Sequence, residues 1–161
     1  MNLKAQSLLS VARSSNVWIA TAESCTAGLI AGEITAVSGS SAIFDRGFVT
    51  YTNDAKVEML GVSRASLDQF GAVSEQVAKE MAEGALKNSN ANFAISVTGI
   101  AGPGGSDNKP EGRVCFGIAA ENADTTTETR DFGAIGRNKV RDETVQYALD
   151  LLIAEVTRSA R

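Results

Sequence analysis

The chain has 161 residues, enough for one domain with a buried core, and contains no histidine. That absence removes the Ser-His-Asp triad, the usual general base and the commonest zinc ligand. A hydrophobic share of 43% suits an ordinary globular domain, while a net charge of −4 argues against a nucleic-acid surface.

Leu3, Leu8, Leu9 and Ala12 recur at helical spacing and predict an amphipathic first helix. Residues 17–22 read as a short buried strand, after which Ser24 or Thr26 is expected to cap a helix carrying Leu29, Ile30 and Ile34. Ser38-Gly-Ser-Ser41 punctuates the chain, and residues 48–51 form a second strand. Asn53 reads as the N-cap of a short helix with Val57, Met59 and Leu60, which Gly61 ends. A small helix over 63–70 and a longer one over 74–87 follow, the latter with Val77, Ala78, Met81, Ala85 and Leu86 as its apolar stripe. Strands are expected at 91–97 and 113–120, with a more exposed one at 125–132 on a sheet edge. The last helix spans about 138–156 and turns Val140, Val145, Ala148, Leu149, Leu152 and Ile153 inward. The expectation is an α/β fold: a three-layer α/β/α single domain over 1–161, with a mixed sheet and helices on both faces.

Two small-residue loops follow buried strands, the place where α/β proteins build ligand sites. The first is Thr21-Ala-Glu-Ser-Cys-Thr-Ala-Gly28, and the second is Val97-Thr-Gly-Ile-Ala-Gly-Pro-Gly-Gly105. Ser24 reads either as a helix cap or as a nucleophile at a strand-to-helix turn, although Glu23 and Cys25 depart from the Gly-x-Ser-x-Gly elbow. Lys56 is expected in a first helical turn, where the macrodipole disfavours a cation and its i+3 and i+4 neighbours, Met59 and Leu60, offer no carboxylate. It reads as a solvated surface lysine or as the base that histidine cannot be. Tyr51 is a packing residue or a hydrogen-bonding relay beside it. Thr98 with the amides of Gly99 and Ala101 is suited to an anion or a carbonyl, whereas the loop lacks the Lys-Ser/Thr ending of a P-loop and an intact Gly-x-Gly-x-x-Gly. Arg137 and Arg141 share a helix face, as a phosphate clamp or as a solvated surface. Cys25 and Cys115 lack metal-ligand spacing and read as buried free thiols, and the carboxylates are scattered, so neither a metal nor a cofactor is expected. No segment suits a signal peptide or a bilayer span, so a cytoplasmic location without membrane or nucleic-acid partners is expected.

Five segments, Ala20 to Leu29, Asp45-Arg-Gly-Phe-Val-Thr-Tyr51, Asn53-Asp-Ala-Lys56, Gly71-Ala-Val-Ser74 and Ser96 to Gly105, closely resemble the CinA C-terminal domain family, in the same order over almost the whole chain. Ala27 stands where many members carry a second glycine, a change expected to leave the turn undisturbed. The resemblance is to the stand-alone form, without the domain similar to molybdopterin-binding proteins. It implies deamidation of nicotinamide mononucleotide to nicotinate mononucleotide and ammonia in NAD recycling. By that resemblance Ser24 attacks the amide carbon, Lys56 takes its proton and Tyr51 supports the lysine. The Thr98–Gly102 segment, including Gly99 and Ala101, would line the nicotinamide or oxyanion side, and Gly39, Ser40 and Ser41 with Arg137 would reach the ribose phosphate. Thr26 and Arg141 complete the expected substrate contacts. An even-numbered homo-oligomer is the default for such enzymes. The alternative is a non-catalytic nucleotide-binding or regulatory module linked to competence or DNA repair.

Overall fold

The computed structural model describes residues 2–161. Helix α1, Leu3–Ser15, is capped by the Asn2 side chain, which accepts from the amides of Lys4 and Ala5 at 2.9 and 3.3 Å. Leu8 and Ala12 are buried as their spacing predicts, but Leu3 lies on the solvent side of the first turn. Strand β1, Ile19–Glu23, then enters the centre of the molecule, two residues later than the sequence suggests. Helix α2 is Leu29–Thr35, with Ile30 and Ile34 inward and Leu29 exposed. Strand β2 is Phe44–Val49, four residues earlier than expected, because it is an edge strand whose Asp45, Arg46 and Gly47 break the apolar signal.

Helices α3 (Asn53–Leu60), α4 (Arg64–Phe70) and α5 (Glu75–Lys87) follow, and the side chains of Thr52, Ser63 and Ser74 cap them in turn. Asn53 is thus the first helical residue and not the cap, and Met59 lies outward. Strands β3 (Phe93–Gly99), β4 (Arg113–Ala120) and β5 (Ala123–Asp131) precede the long helix α6, Arg137–Ser159. The sheet order is β2-β1-β3-β4-β5, parallel across its first three strands and antiparallel across the last two.

Strand alternation divides the core in two. Ile19, Ile95, Val97 and Phe116 face α1, α2 and α6, whereas Ala20, Ala22 and Ala94 face α5 with Leu60, Val77 and Met81. The small face lets α5 come close: a Cβ on Gly117 would lie 2.6 Å from the Ala78 carbonyl oxygen, which already accepts from Ser96 Oγ at 2.5 Å. The helices therefore cover both faces, as the α/β/α expectation requires. Since β1 leads outward to β2 on one side and pairs with β3 on the other, the carboxyl ends of β1 and β3 flank the switch in strand order. Open α/β sheets bind ligands there.

Candidate active site

A cleft of about 350 Å3 opens at that end of the sheet, within the range of small-ligand sites. Its walls include Ser24 and Cys25 after β1, Tyr51 and Lys56 after β2, Thr98 and Gly99 at the end of β3 with the loop to Gly105 beyond it, and Arg137 at the start of α6. Three parallel strands thus deliver their loops to one place, which explains why residues 32 positions apart in sequence meet.

Lys56 lies near the N-terminus of α3 and is 1% exposed, so the surface-lysine alternative is wrong. Its Nζ stands 3.0 Å from Ser24 Oγ, 3.1 Å from the Thr50 carbonyl oxygen and 3.3 Å from that of Tyr51. No carboxylate lies within ion-pair distance of it among the described residues. Burial is the main cause that pulls its pKa below the ordinary lysine value. The partner set also orients the neutral amine. As an ammonium Lys56 donates to all three oxygens. Once neutral, its two hydrogens suffice for the two carbonyls, which can only accept, and its lone pair is left for the Ser24 hydroxyl. The geometry suits removal of the hydroxyl proton by the amine.

The neighbouring thiol is a poor competitor. Burial first of all, with Glu23 adding to it, pushes Cys25 up to about 12, which keeps it protonated near neutrality. Of the two adjacent nucleophiles, the hydroxyl is the one with a base beside it.

The loop carrying Ser24 is held by a residue that sequence reasoning passed over. Glu23 is 1% exposed, and alternation along β1 puts its side chain on the α2 side of the sheet. Its carboxylate accepts from Thr26 Oγ1 at 2.6 Å and from the amides of Gly28, Ile30 and Ala31 at 3.2, 2.8 and 3.0 Å. Neither Ser24 nor Thr26 is the cap of α2; Gly28 occupies that position and Glu23 satisfies the open amides. The capping signal was misread because the acceptor sits five residues ahead of the cap position, on the strand. Ala27 adopts φ 48, a left-handed conformation that costs a non-glycine residue about 1–2 kcal/mol, which is the physical reason a glycine suits this position. The substitution is therefore not neutral for the turn.

Of the residues singled out in the sequence, Ser24, Lys56, Tyr51, Thr98, Gly99, Ala101, Gly102 and Arg137 meet at the cleft. Tyr51 is 55% exposed, and its hydroxyl accepts from Arg137 at 3.0 Å; its backbone carbonyl, and not its phenol, meets Lys56. Arg137 also donates to the Gly102 carbonyl oxygen at 2.7 Å. Thr98 Oγ1 donates to the Ala72 carbonyl oxygen at 2.8 Å, so its hydroxyl is engaged in the fold. The Ile100 amide bonds to Arg113, and alternation turns that of Gly99 toward β1, whose last pairing is Glu23 with Val97. The Gly99 amide is thus left without a strand partner at the cleft.

Five expected substrate contacts lie elsewhere. Thr26 is fully buried against Glu23, while Gly39, Ser40 and Ser41 precede β2. Because β2 runs parallel to β1, the loop before it lies at the amino ends of the strands, across the sheet from Ser24. Arg141, expected at the phosphate, instead donates Nε to the Cys25 carbonyl oxygen at 3.1 Å and does not line the cleft. Lys109 was missed. It lines the cleft and ties the long loop to the turn after α4 through the carbonyl oxygens of Phe70 and Val73, at 2.6 and 2.5 Å.

Comparison with known proteins reaches the same architecture. The family model described as the CinA C-terminal domain matches residues 2–156. A protein of Enterobacter agglomerans named nicotinamide-nucleotide amidohydrolase PncC is 50% identical over 143 residues, covering 88% of this chain and 87% of that protein. A CinA-like protein of Chlorobium limicola is 54% identical over 129 residues, 76% of this chain but only 30% of that longer protein. The crystal structure of the competence/damage inducible protein CihA from Agrobacterium tumefaciens superposes with a TM-score of 0.91 at 52% identity, covering 94% of this chain and 92% of that one.

Proposed function

The chain belongs to the CinA C-terminal domain family, and from that membership and the Ser24–Lys56 contact we propose that it hydrolyses the carboxamide of nicotinamide mononucleotide. The products are nicotinate mononucleotide and ammonia, a step that returns the pyridine nucleotide to NAD synthesis. The observation that carries the reading is the buried 3.0 Å contact between a serine hydroxyl and a lysine amine without a carboxylate partner.

Ser24 Oγ attacks the amide carbon as its proton passes to Lys56 Nζ. The negative charge that develops on the amide oxygen is met by the free amide of Gly99 and by that of Cys25, the residue after the nucleophile. Collapse of the tetrahedral intermediate breaks the C–N bond, and the Lys56 ammonium returns the proton to the departing nitrogen as ammonia. Water, deprotonated by the same amine, then cleaves the acyl-serine ester and regenerates Ser24. Lys56 moves every proton, so the reaction as written uses neither metal nor cofactor. Arg137, an exposed cation that lines the cleft, supports a reading in which it meets the substrate phosphate. The chain is read as one catalytic domain acting as an even-numbered homo-oligomer in the cytoplasm.

Incubation of the purified protein with nicotinamide mononucleotide should release ammonia and nicotinate mononucleotide in equal amounts, and Ser24→Ala should reduce both to background. No ammonia from the wild type above the Ser24→Ala background, from neutral to alkaline pH, would return the protein to the non-catalytic alternative, and a fully active Ser24→Ala would remove Ser24 as nucleophile.

A further inference from the structure

We infer that Glu23 and Arg141 are positioning residues that hold the Ser24 loop, one through its amides and the other through its carbonyls, and so keep the Ser24 hydroxyl against Lys56. The inference rests on the amidase reading only for its turnover readout. Helix α2 starts at a glycine with no capping side chain, so its first amides need an acceptor from elsewhere. Ser24 and Thr26 are the hydroxyls that would ordinarily supply one. Instead the Glu23 carboxylate takes the amides of Gly28, Ile30 and Ala31, and Thr26 donates to the same carboxylate. Arg141 holds the other polarity of the loop: its Nε donates to the Cys25 carbonyl oxygen at 3.1 Å, and Nη2 lies at 3.5 Å from that of Thr26. It forms no ion pair with a carboxylate among the described residues. Neither side chain lines the cleft.

An acceptor thus meets the amides at the start of α2 and a donor meets the carbonyls of the two residues that follow the nucleophile. If the carboxylate loses an accepting oxygen, the amides of Gly28, Ile30 and Ala31 are left short of an acceptor, and the turn that carries Ser24 from β1 into α2 loses its anchor. A displacement of that turn by a few tenths of an ångström would lengthen the 3.0 Å contact between Ser24 Oγ and Lys56 Nζ.

The test uses Glu23→Gln, which preserves shape but turns one oxygen into a donor facing amides, and Arg141→Met, which preserves the stem. Three readouts are taken at a temperature where each variant is folded: kcat and KM for nicotinamide mononucleotide, the rate of Ser24 labelling by a fluorophosphonate, and the unfolding midpoint. A misplaced nucleophile should lower kcat and labelling together by about 10- to 100-fold, with KM held within about twofold. Unchanged kcat and labelling beside a lowered midpoint in Glu23→Gln would overturn the inference and leave Glu23 as a helix cap alone. A raised KM with intact kcat in Arg141→Met would overturn it from the other side, by making Arg141 a substrate contact. Should Glu23→Gln fail to fold, Arg141→Met decides by the same criteria. If the wild type releases no ammonia, the amidase reading fails, while the labelling rates still decide whether these residues position Ser24.

Discussion

The two loops at the carboxyl end of the sheet share a composition of small residues but are held in opposite ways. Ser24, Cys25 and Thr26 are all buried, and the side chains of Glu23 and Arg141 fasten the loop that contains them. Across the cleft, Pro103, Gly104, Gly105 and Ser106 are exposed, and that loop is tied at its ends, by Arg137 at the Gly102 carbonyl and by Lys109 at the turn after α4. The difference fits the proposed reaction. A nucleophile works only within a few tenths of an ångström of its base, whereas a wall that admits a substrate must remain open to water. Glycine serves the first loop by fitting a helix start, and serves the second by exposing backbone amides.

The comparison is broken most severely at the buried side. Lys56→Met keeps the apolar stem and removes the amine, so turnover should fall by about 10²–10⁴-fold, the usual worth of a positioned general base. Lys56→Arg should be nearly as damaging, because guanidinium keeps its proton. In the wild type the rate should rise with pH through an apparent pKa below the ordinary value of about 10.4, since the base acts only when neutral. Stability carries the matching sign. Between the lowered folded-state pKa and about 10.4 the unfolded chain binds the extra proton, so stability rises with pH through that window and is lost as pH falls. Denaturant titrations of wild type and Lys56→Met across that range should converge as pH rises. Ser24→Ala should abolish turnover yet lower stability by no more than about 1 kcal/mol, because its hydroxyl makes one hydrogen bond and caps nothing.

A smaller effect is expected at the open side. Gly102 has φ 94, and a Cβ there would run into the Glu111 carboxylate, the far end of a flexible side chain. Gly102→Ala should therefore cost about 1–2 kcal/mol of local strain and move the loop wall. The steady-state signature is a KM raised several-fold with kcat little changed, the reverse of the pattern at Lys56. A fall in kcat with constant KM would mean that the open loop also orients the reacting carbonyl.

Much of the fold was legible because its strongest elements carry simple patterns. Strand β4 matches its expected span to the residue, and α5 hides Val77, Ala78, Met81 and Ala85 as their spacing requires. Strand β2 was misplaced because an edge strand needs no continuous apolar run, so charged Asp45 and Arg46 obscured its start. In the site, the Ser24–Lys56 pair was legible from the absence of histidine and from the lack of a carboxylate for Lys56. Its supports were not. Glu23 acts across a strand-to-helix turn and Arg141 reaches back over more than a hundred residues, and no local spacing encodes either contact. Gly39, Ser40 and Ser41 lie away from the cleft for a topological reason that local spacing does not carry: a strand separates the loop before it from the loop after it by its own length.

Tyr51 gives the smallest and most discriminating effect. Its backbone carbonyl is one of the two acceptors that orient Lys56 Nζ, while its phenol stands out in the cleft mouth against Arg137. Two roles expected of one residue are thus divided between its main chain and its side chain. Tyr51→Phe removes the hydroxyl alone, so the carbonyl, the lysine geometry and the lowered pKa should all persist. The pH at which the rate rises should match wild type, and kcat should change by no more than a few-fold. What should move is Arg137, which loses an acceptor worth about 1 kcal/mol and retains only the Gly102 carbonyl. A modest rise in KM for the mononucleotide, absent for the unphosphorylated riboside if that is turned over, is the expected result. A shift of the pH profile in Tyr51→Phe would instead mean that the phenol reaches the lysine during the reaction, and the division between main chain and side chain would fail.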